Sequence, residues 1–559
     1  MSYVVAVSYV AIPAVAYLWL TGVPTGELRL QLAVLSPRVI EGTFLLMVAS
    51  AVAARKAVSR SLFRSRTAAG VLGALAFLLV STLPPRTHRI YYDEDIYQNV
   101  AQNILWTGRA EMCNEGTIED GEFRCRTGEY NKEPNAFPFT LSLVFRLFGV
   151  NEPAAHAVNR ALFALGVVTT FWIGLLLFGS RYAAAAAAFL YLFVPQNLLW
   201  GTTVAVEPGA AAFAGVALGA ALLFFKEGTW ATGALAASSA AFASQWRPES
   251  LLILPVIGAA SFLVDGKRWA ELKIYAVGAA TFALVVVELA HLLAVWSEGW
   301  GSPETGKFAW SYVRHNLLTN ARYYVEGRDF PLFFTLLAVL GLSSVRVGRA
   351  GALLVFWFVL FFGIFIPFHA GSYRYGVDVR FALLSAMPLA LLGGRGVLAC
   401  SRALESRVSL RLAAWLPLLA TLYFFTPYVP LVRTVGREAW AARADHDVAL
   451  ELRSLVPPQS IVLTHNPGML LVMGQSAIQA SAAVYRSHVV EAYFSEFPGG
   501  VYFHYNFWCN VPDPVQNGFC SQVLTRYPNR VIAERSAGFN RYVLYRLMPP
   551  LRGSAAPPR

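Results

Sequence analysis

The stretch RTAAGVLGALAFLLVSTLPPRTHRIYYDEDIYQNV, residues 66–100, decides the reading of this chain. Residues 68–84 form an apolar run with no charge. Three consecutive acids, Asp93, Glu94 and Asp95, follow it, and an amphipathic run follows them. Apolar runs of this kind cross a bilayer. A cluster of carboxylates therefore stands where the chain leaves the membrane.

The rest of the sequence repeats the first half of that pattern. Of its 559 residues, 56% are hydrophobic and only 14% are charged, and the mean hydropathy is +0.49. A soluble protein carries roughly 25% charged residues. Apolar runs recur at 3–22, 39–54, 68–84, 158–178, 183–199, 205–225, 231–247, 250–264, 274–296, 331–345, 351–368, 381–398 and 411–428. This predicts an all-α polytopic membrane protein with about 13 transmembrane helices. Several runs are short, as expected of tilted, broken or re-entrant segments lining a cavity. The first lacks the basic flank of a signal peptide.

The net charge of +12 is mostly arginine. It lies in short loops between apolar runs, where it reports topology and not nucleic-acid binding. The loop ARKAVSRSLFRSR, 54–66, is the most basic and is placed in the cytoplasm. Alternation then puts Arg181, Lys226, Lys267, Arg268, Arg346, Arg349, Arg395, Arg402, Arg407 and Arg411 inside, and 85–157 and the tail from 429 outside. The loop 297–330 disagrees. It falls outside yet carries Lys307, Arg314, Arg322 and Arg328. Either the count is off by one there or those cations have work to do.

The cysteines are consistent with this map. Cys113 and Cys125 lie in the first outer loop, and Cys509 and Cys520 in the tail. Both pairs are closely spaced in an oxidising compartment and are expected to form disulfides. Cys400 stands alone inside. In the tail, DHDVALELRSLV (445–456) and FCSQVLTRY (519–527) read as helices. SIVLTH (460–465), NRVIAERS (529–536) and RYVLYRL (541–547) read as strands. This alternation predicts a small extracytoplasmic α/β domain. The expected organisation is 1–84 N-terminal spans, 85–157 an outer loop with the acidic motif and interfacial helices, 158–428 the helical core, 429–548 the α/β domain and 549–559 a disordered tail.

After Asp93, the residues Ile96, Tyr97, Val100, Ala101, Ile104 and Leu105 share one helical face. The expected helix lies on the outer membrane surface with that face down. Asp93 would be its N-cap and Glu94 part of its first turn, where negative charge is favoured. Plain capping would account for Asp93 equally well.

The motifs in order resemble those of the polyprenyl-phosphate-dependent glycosyltransferases of the GT-C superfamily, the protein O-mannosyltransferase-like and aminoarabinose-transferase-like membrane enzymes. DEDIY supplies Asp93, Glu94 and Tyr97 of a D-E-x-x-Y motif. NKEPNAFPFTLSLVFRLFG (131–149) is similar to a K-P-P stretch followed by an interfacial helix. TTVAVEPGAAAF (202–213) places the acid Glu207 before a proline, and RFALLSAMPLALLGG (380–394) is similar to a late proline-interrupted segment. The set spans 68 to about 400. Three features depart from the pattern: three segments before the acidic loop, Lys132-Glu133-Pro134 in place of K-P-P, and the insert CNEGTIEDGEFRC (113–125).

The resemblance implies sugar transfer from a polyprenyl-phospho-sugar donor to a hydroxyl acceptor (lipid, glycan or protein), with inversion. The site would lie on the extracytoplasmic face of a prokaryotic inner membrane. Lipid phosphate is a good leaving group, so one carboxylate serves as base or positioner, unlike the pair that glycosidases need. Asp93 is the candidate base. Glu94 would assist or, with Asp93, hold a divalent cation; no other cofactor is expected. The departing phosphate needs fixed cations. Of six lysines, only Lys132 and Lys307 fall outside, and Lys132 is the better candidate. Arg374 and Arg380, in HAGSYRYGVDVRF (369–381), can fork onto phosphate, lie among headgroups, or pair with Asp378. Arg247 and Glu249 in QWRPES (245–250) interrupt apolar runs, where charge faces a cavity or pairs internally. Tyr97 and Glu207 complete the candidate substrate set.

GSPETGKF (301–308) imitates a phosphate-binding loop but has Phe308 where Ser or Thr is required. Two other functions fit the composition. A transporter or lipid flippase would explain spans and buried charges, but commonly shows two matching halves, which are not visible. A glycan polymerase or ligase of another membrane fold shares the location but needs no acidic first loop.

Overall fold

The computed structural model describes residues 11–550 except 12, 20, 63–64, 91, 265–270, 299–301, 344–347, 376–378 and 435. Half of the first expected span, Lys267, Arg268, Arg346, Asp378 and nearly all of the expected disordered tail lie outside the described residues. The chain divides into two compact units. One comprises 1–86, 132–139 and 156–435, and the other 87–131, 140–155 and 436–559.

The first unit is helical and apolar. Among the described residues, six helices are long and apolar enough to cross a membrane: Thr25–Ala53, Glu152–Phe178, Glu207–Glu227, Leu272–Ala294, Leu383–Leu404 and the stretch Leu410–Arg433. The bent pair Arg55–Ser61 and Arg66–Thr82 makes a seventh if counted as one span, and four shorter apolar helices join them. The protein is a largely helical polytopic membrane protein. Each expected span from 39–54 to 411–428 falls on helix, but many are too short to count as spans by length alone. The expected span 183–199 is broken into Arg181–Leu192 and Pro195–Trp200.

Outward faces of these helices carry Leu45, Phe77, Leu78, Leu336 and Leu419 exposed, as lipid-facing surfaces do. Between helices, small residues let backbones meet. A Cβ on Gly341 would strike the Leu392 carbonyl, and one on Gly396 would strike that of Leu337. The helices Leu332–Ser343 and Leu383–Leu404 therefore touch main chain to main chain.

Ion pairs tie segments of this unit together. Arg60 meets Glu227 at 2.8 Å. Arg29 Nε donates to the Ala294 carbonyl at 3.0 Å, and the same guanidinium pairs with Glu298. Arg374 and Arg322 both reach Glu326, at 3.1 and 3.7 Å. Two of the acids in the discordant loop 297–330, Glu298 and Glu326, thus engage nearby cations.

The second unit is built on a seven-stranded sheet. Its strands are β1 (Glu111–Glu119), β2 (Glu122–Tyr130), β3 (Ser460–Thr464), β4 (Ala477–Gln479), β5 (Gly500–Tyr505), β6 (Asn529–Ala537) and β7 (Asn540–Leu547). The order is β2-β1-β4-β3-β5-β7-β6. β3 runs parallel to β4 and β5, and the remaining pairs are antiparallel. The strands β3, β6 and β7 lie where the sequence places them, and β4 and β5 are additions to it. The hairpin β1–β2 is an addition to the sequence expectation. The insert 113–125 forms much of it, and Glu115 and Gly116 pair with Ile478 and Ala477 to extend the sheet.

Alternate residues of the central strands face two cores. Ile461, Leu463, Val501 and Phe503 pack with Val490 and Tyr493 of the helix Ser487–Glu496 and with Cys520 and Val523 of the helix Pro514–Arg526. Val462 and Tyr502 pack on the opposite side with Leu452 of the helix Arg437–Arg453 and Met469 to Leu471 of the helix Pro467–Val472. Both expected disulfides, Cys113–Cys125 and Cys509–Cys520, are present. The first staples the hairpin, and the second ties the turn after β5 to the helix Pro514–Arg526.

Two variants test these packing arguments. Gly396→Val should abolish recovery of monodisperse protein in detergent, read by size-exclusion chromatography. Replacing Cys509 and Cys520 together by Ser should lower unfolding free energy by about 2–4 kcal/mol, read by denaturant melts.

Candidate active site

The acidic helix spans Asp93–Thr107, so the apolar–polar pattern does form a helix. Its setting differs from expectation. It is not laid on a bilayer but packed within the sheet unit. Ile96, Val100 and Ile104 form a small core with Ala110, Tyr92 and Met112. Its polar side is equally engaged. The Asn99 side-chain oxygen accepts from the Cys113 amide at 2.8 Å, Gln102 donates to the Leu471 carbonyl at 3.1 Å, and Asn103 donates to the Glu111 carbonyl at 3.0 Å. A Cβ on Gly468 would lie 3.1 Å from that of Asn99, so glycine there permits the close approach.

The N-cap is Tyr92, not Asp93. Tyr92 has φ of +71°, a conformation that costs a non-glycine residue about 1–3 kcal/mol and persists only when its surroundings impose it. Its hydroxyl donates to the His465 carbonyl at 3.2 Å, and its ring meets that of Trp508 edge-on at 6.2 Å. Burial, with the charges of Asp95, Glu129 and Asp93 adding to it, holds the phenol above its usual range. Asp93 is the first helical residue and is half-buried at the helix start.

The three acids have different surroundings. Glu94 is fully buried, and its Oε1 accepts from the backbone amides of Arg89 at 2.6 Å and Ile90 at 3.1 Å. It holds the approaching chain against the helix. Asp95 is buried and accepts from the Asn466 side-chain amide at 2.7 Å. His88 Nδ1 lies 3.9 Å from Asp95. Tyr97 is buried on the same helix.

Around Asp95 the sheet unit gathers a polar cluster that the sequence alone does not single out. Glu152 has His88 Nε2 at 3.6 Å from one oxygen and His446 Nε2 at 3.4 Å from the other. The two imidazoles lie 4.6 Å apart. Burial alone would lower the His88 pKa, but the hydrogen-bonding contact with Glu152 and the charges of Glu94, Asp95 and Glu152 outweigh it and raise it to about 9. Burial, then the Asp95 charge, pushes Asp445 up to about 7. The available signals are His88, five residues before Asp93, and the polar triplet Asp445-His446-Asp447. In sequence both resemble ordinary solvated polarity.

Imidazole and carboxylate are donors that divalent transition metals accept, and His88 and Glu152 stand close enough to share such a cation. His465, Cys509 and Cys520 also stand together, but their sulfurs are joined in a disulfide and are not thiolate ligands.

In the membrane unit, several of the expected substrate residues meet. Glu207 is buried at the start of its helix and pairs with Arg247, which also pairs with Glu249. Arg380 Nε lies 3.8 Å from the same Glu207 oxygen. Both guanidiniums sit over the Phe381 ring, at 5.5 and 5.0 Å. Among the described residues, two arginines face two glutamates here, and Arg380 is the more exposed cation. Arg374 lies apart, exposed and paired with Glu326. Lys132 is exposed, and its backbone is hydrogen-bonded by His291. The segment after it is pinned by Asn135 to Ser36 at 3.2 Å and by the Ala136 amide to the Gln245 carbonyl at 3.1 Å.

No family model matches this sequence, and no curated protein matches it. Solved structures do. ArnT from Cupriavidus metallidurans bound to undecaprenyl phosphate is 14% identical, with TM-score 0.54, and the match covers 89% of this chain and 100% of that one. The fold is like that of ArnT. The apo state of ArnT matches similarly, at 11% identity and TM-score 0.54 over 86% of this chain and 98% of that one. An oligosaccharyltransferase from Archaeoglobus fulgidus matches at 12% identity and TM-score 0.47 over 88% and 76%. The likeness to ArnT runs through both units of the chain, since 89% coverage exceeds either unit alone.

The His88 environment sets a pH dependence. Its folded pKa exceeds its unfolded value of 6.5, so its stabilising contribution is complete below pH 6.5 and is lost as pH rises through about 9. Asp445 acts with the same sign between 3.8 and about 7. Chelator-treated protein should therefore lose up to roughly 3 kcal/mol between pH 6.5 and 9. Thermal melts across that range should show the loss, and His88→Gln should flatten it.

Proposed function

We propose that this protein is an inverting glycosyltransferase of the GT-C type. It moves a sugar from a polyprenyl-phosphate donor to a hydroxyl acceptor at the extracytoplasmic face of a prokaryotic inner membrane, in which about thirteen segments anchor the chain. The observation that carries this reading is the half-buried Asp93 at an acid-rich helix start, on a fold like that of ArnT, itself crystallised with undecaprenyl phosphate.

In the reaction, the acceptor oxygen bonds to the anomeric carbon while the bond from that carbon to the phosphate oxygen breaks. The lipid phosphate leaves with the electron pair. The Asp93 carboxylate takes the acceptor proton, for which a base at one position suffices. The amides at the helix start favour ionised Asp93. Glu94 fixes the loop beneath it, and a divalent cation, if one is used, would find donors in His88 and Glu152. Lys132 meets the charge that grows on the departing phosphate. Its exposed side chain on a pinned backbone suits that task. Arg380, with Arg247 and Glu207 behind it, offers a second phosphate contact, and Arg374 and Tyr97 complete the binding set.

Transfer is measured as release of polyprenyl phosphate from a radiolabelled lipid-linked sugar. Asp93→Asn should reduce it about 100- to 10,000-fold. Retention near the wild-type rate would end the mechanism. Lys132→Ala should cost about 2–4 kcal/mol of transition-state stabilisation, or roughly 30- to 1,000-fold. A loss below tenfold would remove Lys132 from the phosphate site.

A further inference from the structure

The parallel strands β3 and β5 are neighbours, and their outgoing connections run to opposite faces of the sheet. After β3 the chain enters Pro467–Val472, which packs with Val462 and Tyr502. After β5 it turns through Phe507–Cys509 into Pro514–Arg526, which packs with Leu463 and Phe503. Strand ends that diverge in this way open a crevice, the place where open α/β sheets commonly receive a ligand.

Here the acidic helix start occupies it. From the β3 side, the His465 carbonyl takes the Tyr92 hydroxyl, and Asn466 donates to Asp95. From the β5 side, Trp508 supports the Tyr92 ring. The contacts bracket Asp93 on both sides, at positions 92 and 95. Asn466 is itself held. Its side-chain oxygen accepts from the Met469 amide at 3.2 Å, capping Pro467–Val472, while its side-chain nitrogen faces Asp95. Its backbone amide donates to Thr464 Oγ1 at 3.3 Å.

We infer that the sheet unit uses its ligand crevice as a socket for the chain's own acidic helix, and that Asn466 is the residue that positions Asp93 through Asp95. This rests on the reading of Asp93 as the base. The C-terminal strands then belong to the catalytic apparatus without touching substrate. Asn466 fixes the rotation of the first helical turn, and the Tyr92 clamp holds the left-handed turn that the tyrosine would otherwise leave.

A charge swap tests this in the full-length protein. Asn466→Asp keeps the cap oxygen but sets two carboxylates together. Asp95→Asn sets two amides together. Each should lower kcat at least tenfold with donor KM within about twofold. The double variant Asp95→Asn/Asn466→Asp restores one donor and one acceptor, and should recover kcat to within about threefold of wild type. Tyr92→Phe, which removes a single hydroxyl, should lower kcat at unchanged KM and serves if the swap fails to fold. Wild-type kcat in Asn466→Asp, or a folded swap no better than the single variants, overturns the inference. Where the swap does not fold, unchanged kcat in Tyr92→Phe overturns it. An Asp93→Asn variant that keeps its activity instead overturns the assignment of the base.

Discussion

The hydrogen bond from Asn466 to Asp95 joins residues far apart in sequence, and the geometry of the acidic helix depends on it. A buried carboxylate without a donor would carry a large desolvation cost. With Asn466 in place and His88 beside it, Asp95 can stay in the interior and fix the helix start. Tyr92 supplies the second constraint. Its unfavourable backbone angle would relax without the His465 and Trp508 contacts. The direction in which Asp93 points is therefore a property of the folded sheet unit, not of its local sequence.

The membrane unit meets the same problem of buried charge differently. Glu207 at a helix start is matched by Arg247 and approached by Arg380, and Arg247 is shared with Glu249. A buried pair of this kind contributes little net stability beyond cancelling its own desolvation, yet removing one member leaves an uncompensated charge. The arrangement fixes the position of guanidinium groups more than it strengthens the fold. Phe381 beneath both guanidiniums adds a face that prefers cations.

Legibility in the sequence is a matter of range. Helices in the membrane unit depend on local apolar composition, and runs such as 205–225 and 274–296 carry it plainly. The tail strands β3, β6 and β7 alternate or run apolar over short stretches and can also be read. The hairpin 111–130 cannot. Glu115 points inward where an apolar residue would have signalled a strand, and it is buried only because Arg486, Thr127 and Tyr493 surround it. Two of those partners come from the far end of the chain. The same holds at the site. Asp93, Glu94 and Glu207 stand out as acids at membrane boundaries. His88, Glu152, Asp445 and Asn466 take their meaning from neighbours that only the fold supplies. The expected surface helix fails for a related reason: an apolar face signals burial without saying whether lipid or protein covers it.

The sheet order has a consequence for biogenesis. The hairpin β1–β2 emerges early, while β4, the strand it pairs with, lies in the C-terminal tail. At ordinary rates of synthesis, tens of seconds separate the two on the ribosome. During that interval the edge of β1 has no partner, and such an edge invites association with other chains. The Cys113–Cys125 bridge, closing within the hairpin itself, can form before any C-terminal strand exists and would keep the waiting ribbon in its final register. Until β4 is made, the hairpin's own bridge stands in for the missing partner strand.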